Sequence, residues 1–439
     1  MQIRIFYIIL HPKKLNMSNS FYLSRICDSE LQKALSTMGA VLIEGAKWCG
    51  KTSTAVNVAL STLFMQDPDN ALSYQQMADT KPSLLLKGDT PRLIDEWQMA
   101  PVLWDAVRFE VDKRRGASGQ FILTGSVLPA DNVTAHTGTG RFARILMRPM
   151  SLYESQESNG TVSLADLFDG NCDIDSLSDL SIEQIAFAIC RGGFPATIGK
   201  SDTTALRMSI DYIESIINHD ISRVDGVEKN PNRVRLLLRS LARNIATMAS
   251  VQTILKDVES TETSISDKTF AVYYNALRRI FVVETVPAWL PSIRSKTAIR
   301  TTIKHHFVDP SIATAVMRLN PEAILKDFEY FGFLFEALCT RDIRIYAQHN
   351  DGDVFHYRDK SGLESDMIVA LRDGRWGAIE VKLGNKQIEQ AAENLLKLKE
   401  KIDADKMREP SFLMIITGGQ YAFRRKDGIF VVPIGCLKN

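Results

Sequence analysis

The chain has 439 residues, with 53 Lys and Arg against 52 Asp and Glu and a formal net charge of +1. Hydrophobic residues make up 45% and charged residues 24%, the balance of a globular chain of roughly two to four domains rather than a disordered one. No apolar run approaches the ~18 residues of a membrane span, so no membrane partner is expected, and the near-neutral charge leaves nucleic-acid binding to a local patch. Cys27, Cys49, Cys172, Cys190, Cys339 and Cys436 form no CxxC pair. That pattern excludes a recognisable zinc site or disulfide framework and points to a cytoplasmic location.

Residues 1–20 read as a tail, with Met17 a second candidate start beside Met1. From Phe21 a helix carrying Leu31 and Leu35 leads into Ala40-Val41-Leu42-Ile43, a continuous apolar run of the kind a buried parallel strand needs. Similar runs at Leu93-Ile94, Phe121–Leu123 and Ile145–Met147 alternate with helix or loop, which predicts an α/β domain over 21–155. Between Pro149 and Cys190 there are eight acids and no Lys or Arg, so 156–202 reads as an acidic connecting segment. The region 203–310 is helical in pattern. Within it Ser250–Val258, a polar turn, Ser266–Ile280 and a strand at Phe281–Val286 give the order of a winged helix. Lys268, Arg278 and Arg279 are a thin basic footprint. A lid packing on the first domain and moving with nucleotide is therefore weighed equally with a DNA reader. A second α/β stretch fills 311–439, with a helix carrying Ile324, Phe328, Phe331, Phe335 and Leu338. Strand-like runs follow at Val354–Tyr357, Asp366–Leu371, Ala378–Val381, Phe412–Ile416 and Ile429–Val432.

Gly45-Ala46-Lys47-Trp48-Cys49-Gly50-Lys51-Thr52, followed by Ser53, fits the phosphate-loop pattern G-x-x-x-x-G-K-[ST] and sits between a strand and a helix. There the backbone N–H groups face phosphates and the glycines permit the tight wrap. Lys51 is expected to pair with the β/γ-phosphates of ATP, and Thr52 to ligate Mg²⁺. The strand Arg92-Leu93-Ile94 ends in Asp95 and Glu96, which suits Asp95 to the Mg²⁺ shell and Glu96 to an attacking water. Thr124 and Ser126, ending a third strand, are candidates to sense the γ-phosphate. Arg141 and Arg144 are candidate arginine fingers.

With Pro149–Glu154, these pieces make 21–154 resemble the AAA-like P-loop ATP-binding proteins of bacteria and archaea. The resemblance implies ATP binding with Mg²⁺. Further on, Glu380 and Lys382 share a face of one strand because side chains alternate with period 2. Asp366 on a neighbouring strand and Glu336 on the preceding helix complete a set suited to a hard divalent cation, with Lys382 beside an activated water or scissile phosphate. This order resembles the restriction-endonuclease-like PD-(D/E)XK fold, and the domain of unknown function that commonly follows such ATPases. Ser365 stands where that motif expects Pro.

The expected molecule is a P-loop ATPase joined through a helical, winged-helix segment to a restriction-endonuclease-like domain. It would act as an ATP- and Mg²⁺-dependent switch or motor, with DNA, a protein partner or further copies of itself as candidate partners. An ATP-gated DNA nuclease and a non-enzymatic ATP-dependent scaffold are the alternatives.

Overall fold

The first domain is built on β1 (Ala40–Glu44), β2 (Ser61–Phe64), β3 (Arg92–Asp95), β4 (Phe121–Gly125) and β5 (Phe142–Leu146), all parallel, in the order β2-β3-β4-β1-β5. The computed structural model describes residues 22–127, 137–171, 174–259, 266–291, 302–402 and 407–439; the candidate start sites and Cys172 lie outside them. Strand alternation sorts the apolar residues onto two covered faces. Ala40, Leu42, Ile94 and Leu123 pack with Trp97 and Trp104, whereas Val41, Ile43, Leu93 and Ile122 pack with Leu31, Leu35 and Ala55. Because all five strands run the same way, the loops after β1, β3 and β4 emerge at one edge.

The helical region comprises Ile182–Arg191, Asp202–Ser215 with a π-helical turn at Ile216–Asp220, Pro231–Arg243, Val251–Glu259 and Asp267–Arg279. Ser266 caps the last of these by accepting a bond from Thr269 N. A hairpin of Val283–Val286 and Lys304–Phe307 follows, and Thr247 bridges His305. The described elements from Val251 to Phe307 thus come in the order helix, helix, and two antiparallel strands.

The C-terminal sheet has seven strands. Gly352–Arg358, Glu364–Leu371 and Trp376–Lys382 form an antiparallel meander. The helix Ile388–Lys401 then crosses over to Phe412–Thr417, which is parallel to both Trp376–Lys382 and Phe430–Pro433. Tyr421–Arg424 pairs on the far side, and beyond it Asp175–Leu177 closes the edge. That edge strand comes from the acidic stretch, and Val162–Ser163 also pairs with Leu437–Lys438, so the stretch does more than connect. The expected helix near Ile324–Leu338 is two helices, Pro321–Lys326 and Phe328–His349. The break falls at Asp327, whose carboxylate caps the second by accepting from Tyr330 N, and Phe328 is left 64% exposed instead of joining the apolar stripe. One continuous apolar cluster runs from Ile185, Leu237 and Leu277 through Phe331 and Phe335 into Met367 and Val432, welding the helical region to the C-terminal sheet.

Candidate functional site

The phosphate loop lies between β1 and the helix Lys51–Val58. Gly50 is its N-cap at φ 103°, and among the described residues no side chain caps the helix, so its first N–H groups can meet an anion. At Gly45 (φ 152°) a Cβ would fall 2.1 Å from Met147 O, so only glycine lets the loop leave the strand here. Lys51 is buried, and its Nζ donates to Gly45 O (2.9 Å) and Ala46 O (2.8 Å). Ala46 and Cys49 are buried, while Trp48 is half exposed in a left-handed conformation (φ 66°).

The register Asp95↔Thr124 on β3 and β4, with Ile43↔Thr124 on β1 and β4, brings three strand ends together beside this loop. Thr52 Oγ1 donates to Asp95 Oδ1 at 2.7 Å, and Thr124 Oγ1 donates to the same oxygen. Asp95 is fully buried. A hydroxyl and a carboxylate this close are a hard oxygen set that fits Mg²⁺. Glu96, in left-handed backbone (φ 55°), accepts from Gln98 Nε2 and from Ser126 Oγ (3.1 Å). Glu96 lines a cavity of about 230 Å³ together with Lys47, Ser126, Tyr212, Asp220 and Arg223. The helical region therefore meets the loop directly. Lys47 Nζ lies 2.6 Å from Asp220 Oδ1 on the π-helical turn, and the Trp48 and Tyr212 rings lie 5.7 Å apart.

Arg141 and Arg144 are placed differently from the other candidates. Phe142 pairs with Ala40, at the start of β1, whereas the loop follows Glu44 at its end. Arg141 thus sits at the opposite edge of the sheet, about 16 Å away at ~3.3 Å per strand residue, held by Asp112 at 2.9 Å. Arg144 lies mid-strand, 3.3 Å from Glu44 and over the Trp104 ring. As a finger within its own chain, Arg141 is out of reach; parallel pairing with β1 puts it at the wrong end.

A residue without any motif supports the loop instead. Arg25 is buried just before the first helix, and its guanidinium donates to Cys49 O (2.6 Å), Arg148 O (2.8 Å) and Glu154 (2.9 Å). Glu154 also accepts from the backbone N–H groups of Ile26 and Ser151. Burial pulls the guanidinium toward neutrality, but Glu154 beside it more than reverses this, so it stays charged. Pro149–Glu154 was visible as a motif; its partner Arg25 was not.

The C-terminal set converges. Lys382 Nζ lies 2.7 Å from Glu380 Oε2 and 3.5 Å from Asp366 Oδ2, which also accepts from Val381 N at 2.8 Å. Glu336 joins them through Lys304, whose Nζ lies 2.8 Å from Glu336 Oε1 and 3.6 Å from Asp366 Oδ1. Burial, reinforced by Asp366, pushes the Glu380 carboxyl up to about 8, and burial raises Glu336 to about 7 against the pull of Lys304. Asp366 goes the other way: burial is outweighed by Lys304 and Lys382. Among the described residues no three His, Cys, Asp or Glu side chains stand as a group able to hold a metal ion. The expected ligands Glu336, Asp366 and Glu380 are therefore neighbours in an ion cluster with two lysines, not an open metal cage. Lys304 was missed because Lys304-His305-His306 matches no motif.

Residues 37–156 match the family model of the AAA domain, which with the loop and the parallel sheet makes this part a P-loop ATPase-type domain. Residues 182–323 and 331–437 match two families described as domains of unknown function, DUF8612 and DUF4143. Among curated proteins none matches. Solved structures that resemble the chain include the Walker-type ATPase PABY2304 of Pyrococcus abyssi, at 12% identity and a TM-score of 0.40, over 66% of this chain and 94% of that one. Among the described residues no helix is long and apolar enough to cross a membrane.

Proposed function

We propose that the chain is a Mg²⁺-dependent ATP hydrolase working as a switch, in which the helical region reads the nucleotide bound at Gly45–Ser53. The observation that carries this reading is the direct contact of the loop with that region through Lys47–Asp220 and Trp48–Tyr212. The backbone N–H groups of the loop and Lys51 would bind the phosphates, with Thr52 and Asp95 holding Mg²⁺, which neutralises charge on the phosphates. Glu96 lies at the cavity between loop and helical region, suited to orient or deprotonate a water there. Thr124 holds Asp95 in place and, through its hydroxyl, also accepts from Glu96 N (3.3 Å). Phosphates drawing Lys47 away from Asp220 would release the π-helical turn, and such turns recur at functional sites.

The helix–helix–hairpin order and the bridge Thr247–His305 support a winged-helix module used as this lid. The sheet order and the convergence around Asp366 support a restriction-endonuclease-like C-terminal module, and DNA is the partner that such modules would favour. Two variants test the ATPase reading. Lys51→Ala should weaken ATP binding at least ~10-fold, read by Trp48 fluorescence or calorimetry. Glu96→Gln should keep ATP bound and slow turnover by ~10²-fold or more. Unchanged affinity in the first variant would refute the site, and unchanged turnover in the second would leave Glu96 a structural role.

A further inference from the structure

Lys304 does not belong to the C-terminal sheet that carries the carboxylates. It stands at the start of the hairpin strand Lys304–Phe307 in the helical region and reaches across, 7% exposed, into the cluster. Its ammonium touches Glu336 at 2.8 Å and one oxygen of Asp366 at 3.6 Å, while Lys382 takes the other oxygen of Asp366 at 3.5 Å and Glu380 Oε2 at 2.7 Å. Three carboxylates from a helix and two strands thus surround two ammonium groups.

Glu380 Oε1 is the exception. Among the described residues it has no hydrogen-bond partner, although Glu380 is only 2% exposed. A buried carboxylate oxygen left bare is costly, and its retention marks a cluster not fully served by its lysines. An ammonium offers a single charge on flexible donors, whereas a divalent ion would draw several carboxylate oxygens to about 2.0–2.6 Å. The restriction-endonuclease resemblance implies such an ion here, yet with Lys304 docked between Glu336 and Asp366 the residues do not fit it.

We propose that Lys304 is the resident cation of this cluster: it takes the position a divalent ion would occupy, so the cluster binds none while the hairpin is docked and becomes a divalent-cation site when the ammonium is removed. The contact couples two modules. The inference rests on the cluster alone and stands whether or not the chain hydrolyses ATP.

The test uses the full nucleotide-free chain and Mn²⁺, with binding read by electron paramagnetic resonance and by thermal melting. Binding sensitive to Glu380→Gln reports the cluster and separates it from Thr52–Asp95. Wild type and Lys304→Arg should show no such binding. Lys304→Ala should gain Mn²⁺ binding and melt at least about 2 °C higher with the ion than without it, and Lys304→Ala with Glu380→Gln should lose both gains. Lys304→Gln, which keeps a hydrogen-bond donor, is the second variant should Lys304→Ala fail to fold. Mn²⁺ binding to wild type that Glu380→Gln removes would overturn the proposal. So would the absence of any gain in both Lys304→Ala and Lys304→Gln.

Discussion

Arg25→Met removes the guanidinium that ties the phosphate loop to Glu154 while keeping an apolar side chain of similar length. In the folded chain the Arg25 and Glu154 side chains are 4% and 2% exposed, and Arg25 also serves Cys49 O and Arg148 O. The substitution leaves two carbonyls without that donor and a buried carboxylate without its cation. Breaking a buried pair by removing one partner costs about 3–5 kcal/mol. Glu154 keeps its bonds from Ile26 N and Ser151 N, which puts the expectation toward the lower end, about 3 kcal/mol. Urea unfolding, followed by fluorescence at several protein concentrations, measures the loss. Because Cys49 O is in the loop itself, ATP affinity should fall with it, by ~10-fold. Arg25→Lys should recover part of the stability, since a point charge satisfies Glu154 but cannot span all three acceptors. A loss below about 1 kcal/mol in Arg25→Met would refute the reasoning, because it would mean that the loop is held without this network.

Burial, with Lys304 and Arg358 adding to it, pushes the His356 imidazole down to about 4 against the pull of its hydrogen bond to Thr302 O. The unfolded chain takes up that proton near 6.5, so the associated stability is present above 6.5 and is lost as pH falls toward 4, by roughly 3 kcal/mol at most. His356→Gln should flatten this acid limb in denaturation curves at pH 7 and pH 4.5, and an unchanged limb would assign it to other groups. Gly193→Ala places a Cβ 2.1 Å from Met150 O, across a backbone contact in which Met150 N donates to Gly193 O at 2.6 Å. It should cost about 2 kcal/mol or more in chemical denaturation. Near-wild-type stability would show that this backbone pair yields.

The phosphate loop was legible because its chemistry is written in consecutive residues: Gly45 and Gly50 permit the backbone, and Lys51 and Thr52 follow at the helix start. Asp95 and Glu96 were legible for a similar reason, as acids ending an apolar strand. β2 (Ser61–Phe64) left no comparable trace, since an edge strand with one buried residue needs no continuous apolar run. The split at Asp327 was equally hidden, because helical spacing of apolar residues continues across a cap that interrupts the hydrogen bonds.

What the sequence by itself determined is therefore local: a phosphate-loop pattern between strand and helix, the strands that frame it, and the order of carboxylates at Glu336, Asp366 and Glu380. Period-2 alternation and helix starts are properties of neighbouring residues and survive without knowledge of the fold. Tertiary structure decided everything that depends on distant partners. Arg25 meets Glu154 across 129 positions and Lys47 meets Asp220 across 173, so neither contact has a spacing to recognise. Parallel pairing of β5 with β1 took Arg141 to the edge away from the loop, and the acidic stretch became a strand only because Tyr421–Arg424 offered it an open edge. The same holds for Lys304. Its charge is plain in the sequence, but only the docked hairpin turns that charge into the cation of a buried carboxylate cluster.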